Sequence, residues 1–408
     1  MSDREQTKRK TTFRFIAVLL PILVYSLFRF SVGPLLPSIQ STFSISVAVS
    51  GALVSASTAA VGIGTGLSGY LVSKIGEQKT VLLGLTIFSI ALGASGLFRN
   101  IASFAPFFVL SGLGGGLMTT PTYSIAAGLF PERKGTAIGF VSASYNLGGF
   151  IGPTLSGVLL NYVGWQYPFF AMGLIGIVLT VIFQSALSGY TTPPRDKSVN
   201  LSREFRNLIF NRNILVVAIS MMLADFGFLA YATYTVQYLG ERFNLNQAEL
   251  VSIDLYFGLA VGIGSIGIIT LGFVYDRIGG KITATIGGGI TALFTFLLYS
   301  AVDLDQAILL MFIVGFFMNS FWGILSALAQ TNVPEYSRAS AVSFVQSVAF
   351  VGAVLGPIAA AGLFGSVVTS FPLLITVTLP FIIFTLLILG VYSTNVAEKS
   401  LKKREKVF

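Results

Sequence analysis

The stretch GFVYDRIGGK at residues 272–281 is matched by GYLVSKIGEQK at residues 69–79. Both run glycine, aromatic, two further residues, then Ser73 or Asp276, a basic residue, isoleucine and glycine. Gly69 and Gly76 therefore recur as Gly272 and Gly279, each 203 residues on. The same interval carries Gly112, Pro131 and Glu132 to Gly315, Pro334 and Glu335. After one inserted residue, Gly152 and Pro153 recur as Gly356 and Pro357, 204 residues on. Seven matches in the same order are the trace of an internal duplication. The halves are read as residues 1–188 and 213–408. Between them, residues 189–212 are polar and basic, with Pro193, Pro194, Arg195, Lys197, Arg203, Arg206 and Arg212, and read as a linker.

Outward from these stretches the chain is apolar. Of 408 residues 54% are hydrophobic and 10% charged, against about 25% charged in a soluble domain. Twelve runs are long enough for the ~20 helical residues that cross a bilayer. They lie near 13–38, 47–73, 78–98, 103–129, 137–162, 166–188, 214–239, 248–275, 282–302, 306–329, 340–364 and 370–393. The 44 glycines suit helices that approach closely within a membrane. The expected fold is thus an all-α membrane protein of twelve transmembrane helices in two six-helix pseudo-symmetric bundles. With an even number of helices per half, both halves share one orientation, and a cleft is left between them. There is no cysteine and no histidine. Zinc and most transition-metal sites, disulfides and His-dependent nucleophiles are thereby set aside, no cofactor is expected, and no catalytic group is assigned.

Orientation follows the lysines and arginines. With the N-terminus in the cytoplasm, Lys8, Arg9, Lys10, Arg14, Lys74, Lys79, Arg133, Lys134, the linker, Arg277, Lys281, Arg338 and the tail from Lys399 to Lys406 all fall inside. Only Arg99 and Arg242 fall in outer loops. The net charge of +9 is therefore spread over loops that face anionic lipid, and nucleic acid is not a partner. Expected surroundings are the bilayer of the plasma membrane, with both termini cytoplasmic.

The 272–281 stretch, a glycine followed by Asp-Arg-x-Gly and basic residues, resembles the signature of the major facilitator superfamily. The resemblance covers nearly the whole chain. It implies a secondary active transporter, not an enzyme, that moves a small-molecule substrate by alternating access, as a monomer. Gly69, Gly76, Gly272, Asp276, Arg277 and Gly279 would then act as a conformational gate. Gly148, Gly149, Gly152, Pro153 and Gly157 resemble the fifth-helix motif of drug exporters in that superfamily. Since Gly352, Gly356 and Pro357 repeat it, Gly148, Gly152, Pro153, Gly352, Gly356 and Pro357 are read as helix-packing residues. In the fourth span Phe108 stands where many relatives carry an arginine. The first span, around Tyr25, Arg29, Pro34 and Pro37, resembles the anion–cation symporter branch, in which an arginine here meets the anionic substrate. Phe28 stands where that branch often has an acid.

Ionisable groups inside membrane spans are costly and mark function by default. Arg29 lies ~24 Å along the first helix from its start, and Asp225 ~20 Å along the seventh, near the midplane. Arg29 either binds an anion or snorkels to headgroups. Asp225 either pairs with Arg29, binds a proton or other coupling ion, or is structural. Asp254, ~33 Å along its helix from Asp276, is placed at the outer mouth and expected to be solvated. Tyr25, Tyr123, Tyr231, Asn319 and Trp322 complete the expected substrate site, with Thr119, Thr120 and Tyr234 as further cleft candidates. The leading reading is carriage of an organic or inorganic anion coupled to protons or another ion; the alternative is export of lipophilic drugs or metabolites by proton antiport. The topology is testable in this cysteine-free chain. Cysteines placed at Ser41 and Asp303 should react with an impermeant maleimide added to intact cells, and those at Ser198 and Ser400 should not; labelling at Ser198 would overturn the orientation.

Overall fold

The computed structural model describes residues 3–130, 134–190, 208–333, 338–364 and 367–390. Pro131, Glu132, Arg133, Pro334 and Glu335, the linker from 191 to 207 and the tail from 391 lie outside the described residues. Regular structure among the described residues is entirely helical. In chain order the helices are α1 Asp3–Phe43, α2 Val47–Ile75, α3 Glu77–Ser95, α4 Ile101–Leu129, α5 Lys134–Tyr162 and α6 Gln166–Ala186. There follow α7 Arg212–Arg242, α8 Gln247–Ile278, α9 Gly280–Tyr299, α10 Leu304–Thr331, α11 Arg338–Leu363 and α12 Ser370–Leu389. Eleven of these are long and apolar enough to cross a membrane. The remaining one, α5, has the length but carries Ser142, Ser144, Tyr145 and Asn146 in its middle.

Sequence sets the ends of these helices. Ser46, Asn100, Asn211 and Asp303 cap α2, α4, α7 and α10 by accepting from a backbone N–H of the first turn. Asn246 and Glu249 form a reciprocal capping box at α8. α1 starts well before the expected span, because nothing in its polar opening residues breaks a helix. α10 is not one continuous helix: it breaks at Asn319 and Ser320. Both side chains turn back to their own helix, Asn319 Nδ2 to the Gly315 carbonyl at 3.4 Å and Ser320 Oγ to that of Phe316 at 3.3 Å. α12 contains a π turn over Leu374–Thr378.

α1 packs on α5, and α3 on α4 and α6; α7 packs on α11 and α12, and α8 on α10. The repeated glycines stand at the first and third of these contacts. A methyl on Gly148 would meet the Leu23 carbonyl at 2.6 Å, and one on Gly152 that of Leu27 at 2.5 Å. Gly352 and Gly356 press in the same way on the Met222 and Phe226 carbonyls of α7. Hence α1 and α7 are related by an offset of 199 residues, since Leu23 and Leu27 answer to Met222 and Phe226. Outward faces are apolar, as with Val178 and Val181 of α6, Leu293 of α9 and Leu386 of α12, all exposed, which suits lipid.

The two groups of helices meet along α2–α11, α5–α8 and α1–α7. These seams are closed toward one face only. At the face that holds Gln40, Gln40 and Gln237 hydrogen-bond at 3.2 Å, Gln237 Nε2 reaches Glu241 at 2.8 Å, and Gln40 Nε2 reaches Ser50 at 2.8 Å. Deeper in, a methyl on Gly51 would lie 2.6 Å from Ala361 Cβ, and one on Gly258 2.5 Å from the Phe150 carbonyl. Toward the opposite face, which holds Lys74, contact ends. Gly66, Gly69, Gly139 and Gly272 have no atom within 4 Å of the place a Cβ would take. The close contacts between the halves thus lie toward the Gln40 face, and these glycines at the Lys74 face stand clear of any neighbour, as they would in a V shut at the Gln40 face.

A wedge tests this shape. Gly258→Val should splay the α5–α8 seam at a cost of about 1–3 kcal/mol. If the halves rock as rigid bodies, the distant α2–α11 seam opens too, and a cysteine replacing the buried Ala361 reacts with maleimide several-fold faster. Gly66→Val, which enters open space, should leave that rate unchanged.

Candidate functional site

Arg29 is held on α1 by its neighbours. One turn before it, Tyr25 accepts a 3.0 Å hydrogen bond from Arg29 Nη1. The Tyr25 ring lies on Gly115, where a methyl would sit 2.6 Å from its Cε2. The run Gly114, Gly115 and Gly116 of α4 thus serves three neighbours at once: Gly114 faces Phe88 of α3, Gly115 faces Tyr25 and Gly116 faces Val61 of α2. Ser26 Oγ donates to the Tyr145 carbonyl and ties α1 to α5. The Tyr145 ring packs 6.4 Å from Tyr25 and 5.7 Å from Phe30, centroid to centroid. Tyr123 of α4 lies near Ser142, which is one turn before Tyr145 and bonds back to the Ile138 carbonyl.

Across the cleft stands Asp225 of α7, 2% exposed. Its Oδ1 accepts a 2.6 Å hydrogen bond from Trp322 Nε1, just past the break in α10. The break lets Trp322 turn onto α7, and its ring is backed by Phe350 of α11 at 6.3 Å. Direct pairing of Asp225 with Arg29, one of the alternatives open to it, is not formed. Asp225 Oδ2 and Arg29 Nε are both buried without a hydrogen-bond partner. The two groups are near enough for their charges to attract across the space between them. Of the expected site, Tyr25, Arg29, Tyr123, Asp225 and Trp322 therefore lie near one another, with Tyr145 among them as a member that the sequence reading missed. Its signal was there, a Tyr-Asn pair within an apolar span directly before the Gly148 motif.

Other expected members lie elsewhere. Tyr231 is buried, its ring 5.6 Å from that of Phe257 on α8, and its hydroxyl has no partner. Packing of α7 on α8 turns it away from Arg29. Asn319 lies against Gly264 of α8 and bonds its own helix. Tyr234 is buried at the closed seam, its hydroxyl donating to the Pro357 carbonyl at 3.4 Å. Thr119 bonds back to the Gly115 carbonyl. Asp254, expected to be solvated, is 2% exposed, because α5 closes over it at Gly157. Phe28 and Phe108 touch each other edge to face at 5.6 Å, within a cluster that includes Phe88 and Phe169. An acid and an arginine at those two positions would meet; here an aromatic contact replaces them.

The two repeated loops lie on the open face. Gly76 and Gly279 share one unusual conformation, φ 85° and 88°, which an L side chain rarely adopts. Asp276 and Arg277 are exposed. Gly69 and Gly272 have no neighbour within 4 Å of the place a Cβ would take.

The family model of the Major Facilitator Superfamily matches residues 18–357 and 265–407. The chain belongs to the major facilitator superfamily. Its relatives are transporters, and the protein is a multi-pass membrane transporter rather than an enzyme. The cis,cis-muconate transport protein of Acinetobacter baylyi is 24% identical over 357 residues, spanning 85% of this chain and 84% of that one. A probable L-galactonate transporter of Escherichia coli is 23% identical, spanning 86% and 82%. Multidrug resistance protein 2 of Bacillus subtilis is 26% identical, spanning 65% and 68%. The fold is shared with a bacterial homologue of the human lysosomal transporter Spinster, solved in an inward-facing, unoccupied conformation, with a TM-score of 0.76, 16% identity and coverage of 94% and 95%. It is shared also with the nucleoside transporter NupG, with a TM-score of 0.79, 14% identity and coverage of 93% and 100%.

Proposed function

We propose that this major facilitator carries a small organic anion together with a proton. The observation that carries the reading is the unbonded pair of opposite charges. Arg29 and Asp225 stand on two halves of the molecule, near enough for their charges to attract, each with a buried atom that lacks a partner. A guanidinium is a planar fork that receives a carboxylate by two parallel hydrogen bonds. Tyr25 steadies the fork, and Tyr123, Tyr145 and Trp322 supply flat walls with polar tips. Asp225 balances Arg29 while the site is empty. When a carboxylate takes Arg29, a second negative charge stands beside Asp225 and favours its protonation. Anion and proton then travel together, with no need for an arginine at Phe108. Two relatives whose names contain carboxylate anions, muconate and L-galactonate, support this substrate class.

The positive-inside pattern supports a cytoplasmic Lys74 face, both termini inside, and the plasma membrane as the site of action. The V is then open to the cytoplasm. On closure of that face the loops at Gly69–Gly76 and Gly272–Gly279 approach, and Asp276 with Arg277 serves as a latch from the C-terminal half, since Ser73 has no charge to offer. Gly148, Gly152, Gly352 and Gly356, with Pro153 and Pro357, hold α5 to α1 and α11 to α7, so each half moves as a unit. The protein works as a monomer.

Calorimetry and thermal-shift measurements with muconate, galactonate and a panel of lipophilic cations test the reading. A carboxylate should stabilise the protein. Removing one partner of a buried, hydrogen-bonded charge contact typically costs about 2–5 kcal/mol, so Arg29→Ala should bind that carboxylate at least about thirtyfold more weakly. Arg29→Lys should be nearly as poor, because it keeps the charge and loses the fork. If lipophilic cations stabilise the protein instead, and Arg29→Ala binds like the parent, the chain is an exporter of lipophilic compounds with Asp225 as its acid.

A further inference from the structure

The α5–α8 seam contains a carboxyl group that the site above does not use. Asp254 stands in the first half of α8 and is 2% exposed. Its Oδ1 is buried without a hydrogen-bond partner. Its Oδ2 lies 2.7 Å from the place a methyl on Gly157 of α5 would take, so the carboxyl fills the gap which that glycine leaves. No charged group among the described residues interacts with it. The titratable side chains on the elements packed around it are elsewhere. On α5, Tyr145 lies three turns away beside Tyr25, and Tyr162 is exposed. On α7, Asp225 binds Trp322 and Glu241 binds Gln237 and the Val368 N–H. On α10, Asp305 is in the exposed first turn. On α8 itself, Glu249 serves the cap and Tyr256 packs on Phe312.

The duplication supplies a control within the molecule. Asp254 answers to Gly51 of α2, and Gly157 to Ala361 of α11. At that equivalent seam the gap is filled by the Ala361 methyl, 2.6 Å from the place a methyl on Gly51 would take. Beside that methyl stands the Tyr234 hydroxyl, which has the Pro357 carbonyl as its partner, so the fold closes a seam of this kind without a carboxyl. A carboxyl in the other seam is not a packing requirement. An ionised carboxylate without a partner in such a place is far more costly than a neutral one. The seam is also a moving part, since it is one of those shut at the Gln40 face and must part when that face opens.

We infer that Asp254 is a second proton-binding site, and that its protonation licenses closure of the Gln40 face. Open, the seam hydrates the carboxylate. Shut, it accepts only the neutral acid. Because linkage is reciprocal, a proton on Asp254 favours the shut seam as much as the shut seam favours the proton. Acid therefore shifts the molecule toward closure at this face, by up to about tenfold in population per pH unit for one proton. The inference uses neither the substrate nor the orientation in the membrane, so it stands or falls apart from the anion reading.

Spin labels at Tyr162 and Ala248, both exposed and at the mouth of the α5–α8 seam, test it in lipid nanodiscs without substrate. The chain has no cysteine to compete. Between about pH 8 and pH 5 the parent should gain its short-distance population, within the tenfold-per-unit limit for one proton. Asp254→Asn and Asp254→Ala should both hold the short distance at every pH, so loss of one variant to misfolding leaves the other. Asp254→Glu should retain a pH response, and Asp225→Asn should retain it as well, which separates this site from the central one. A parent distance distribution that ignores pH, or an Asp254→Asn protein that responds as the parent does, overturns the proposal.

Discussion

Dehydrating a charge in an apolar interior costs several kcal/mol even after the protein relaxes. Three side chains of this transporter stand under that constraint: Arg29, Asp225 and Asp254. Each meets it differently. Arg29 spends one nitrogen on Tyr25 and keeps another unbonded. Asp225 takes the Trp322 indole on one oxygen and keeps the other unbonded. Asp254 has no charged neighbour among the described residues and lies in the seam between α5 and α8. The first two attract one another from the two halves, in addition to the direct contacts of the seams. Moving either half would change the field at the other, and in the proposed reading this couples binding to motion.

Movement itself rests on glycine. Within each half, Gly148, Gly152, Gly352 and Gly356 bring backbones so close that even a methyl would collide. Such contacts are unforgiving and keep each half rigid. Between the halves, Gly51, Gly157 and Gly258 make contacts equally close but only at one face. Rigid halves joined along seams that end midway can rock, and the seams at the Gln40 face then act as the hinge side of the open cleft.

Much of this was legible in the sequence. The duplicated loops and long apolar runs declare two similar helical halves, because crossing a bilayer demands length and apolarity that nothing else demands. Arg29 and Asp225 stand out for the same reason. Tyr145 did not, since a tyrosine in an apolar span is equally a packing residue, and Tyr231 shows the converse by packing on Phe257. Distance along the helix put Asp254 near the mouth; it gave no warning that α5 shuts over it, because that depends on the conformation and not on the spacing. Phe28 and Phe108 each read alone as a missing charge. Only their contact in three dimensions shows one aromatic pair where an acid and an arginine would have met.

The central claim is that an anion at Arg29 and a proton at Asp225 arrive together. Proton exchange with a weakly buffered solution, followed by a pH-sensitive dye as muconate or galactonate is added to purified protein, measures this directly. The account predicts net uptake of protons on binding, and none above background in Asp225→Asn protein that still binds the anion. Binding without proton uptake in the parent, or equal uptake in Asp225→Asn, would contradict it.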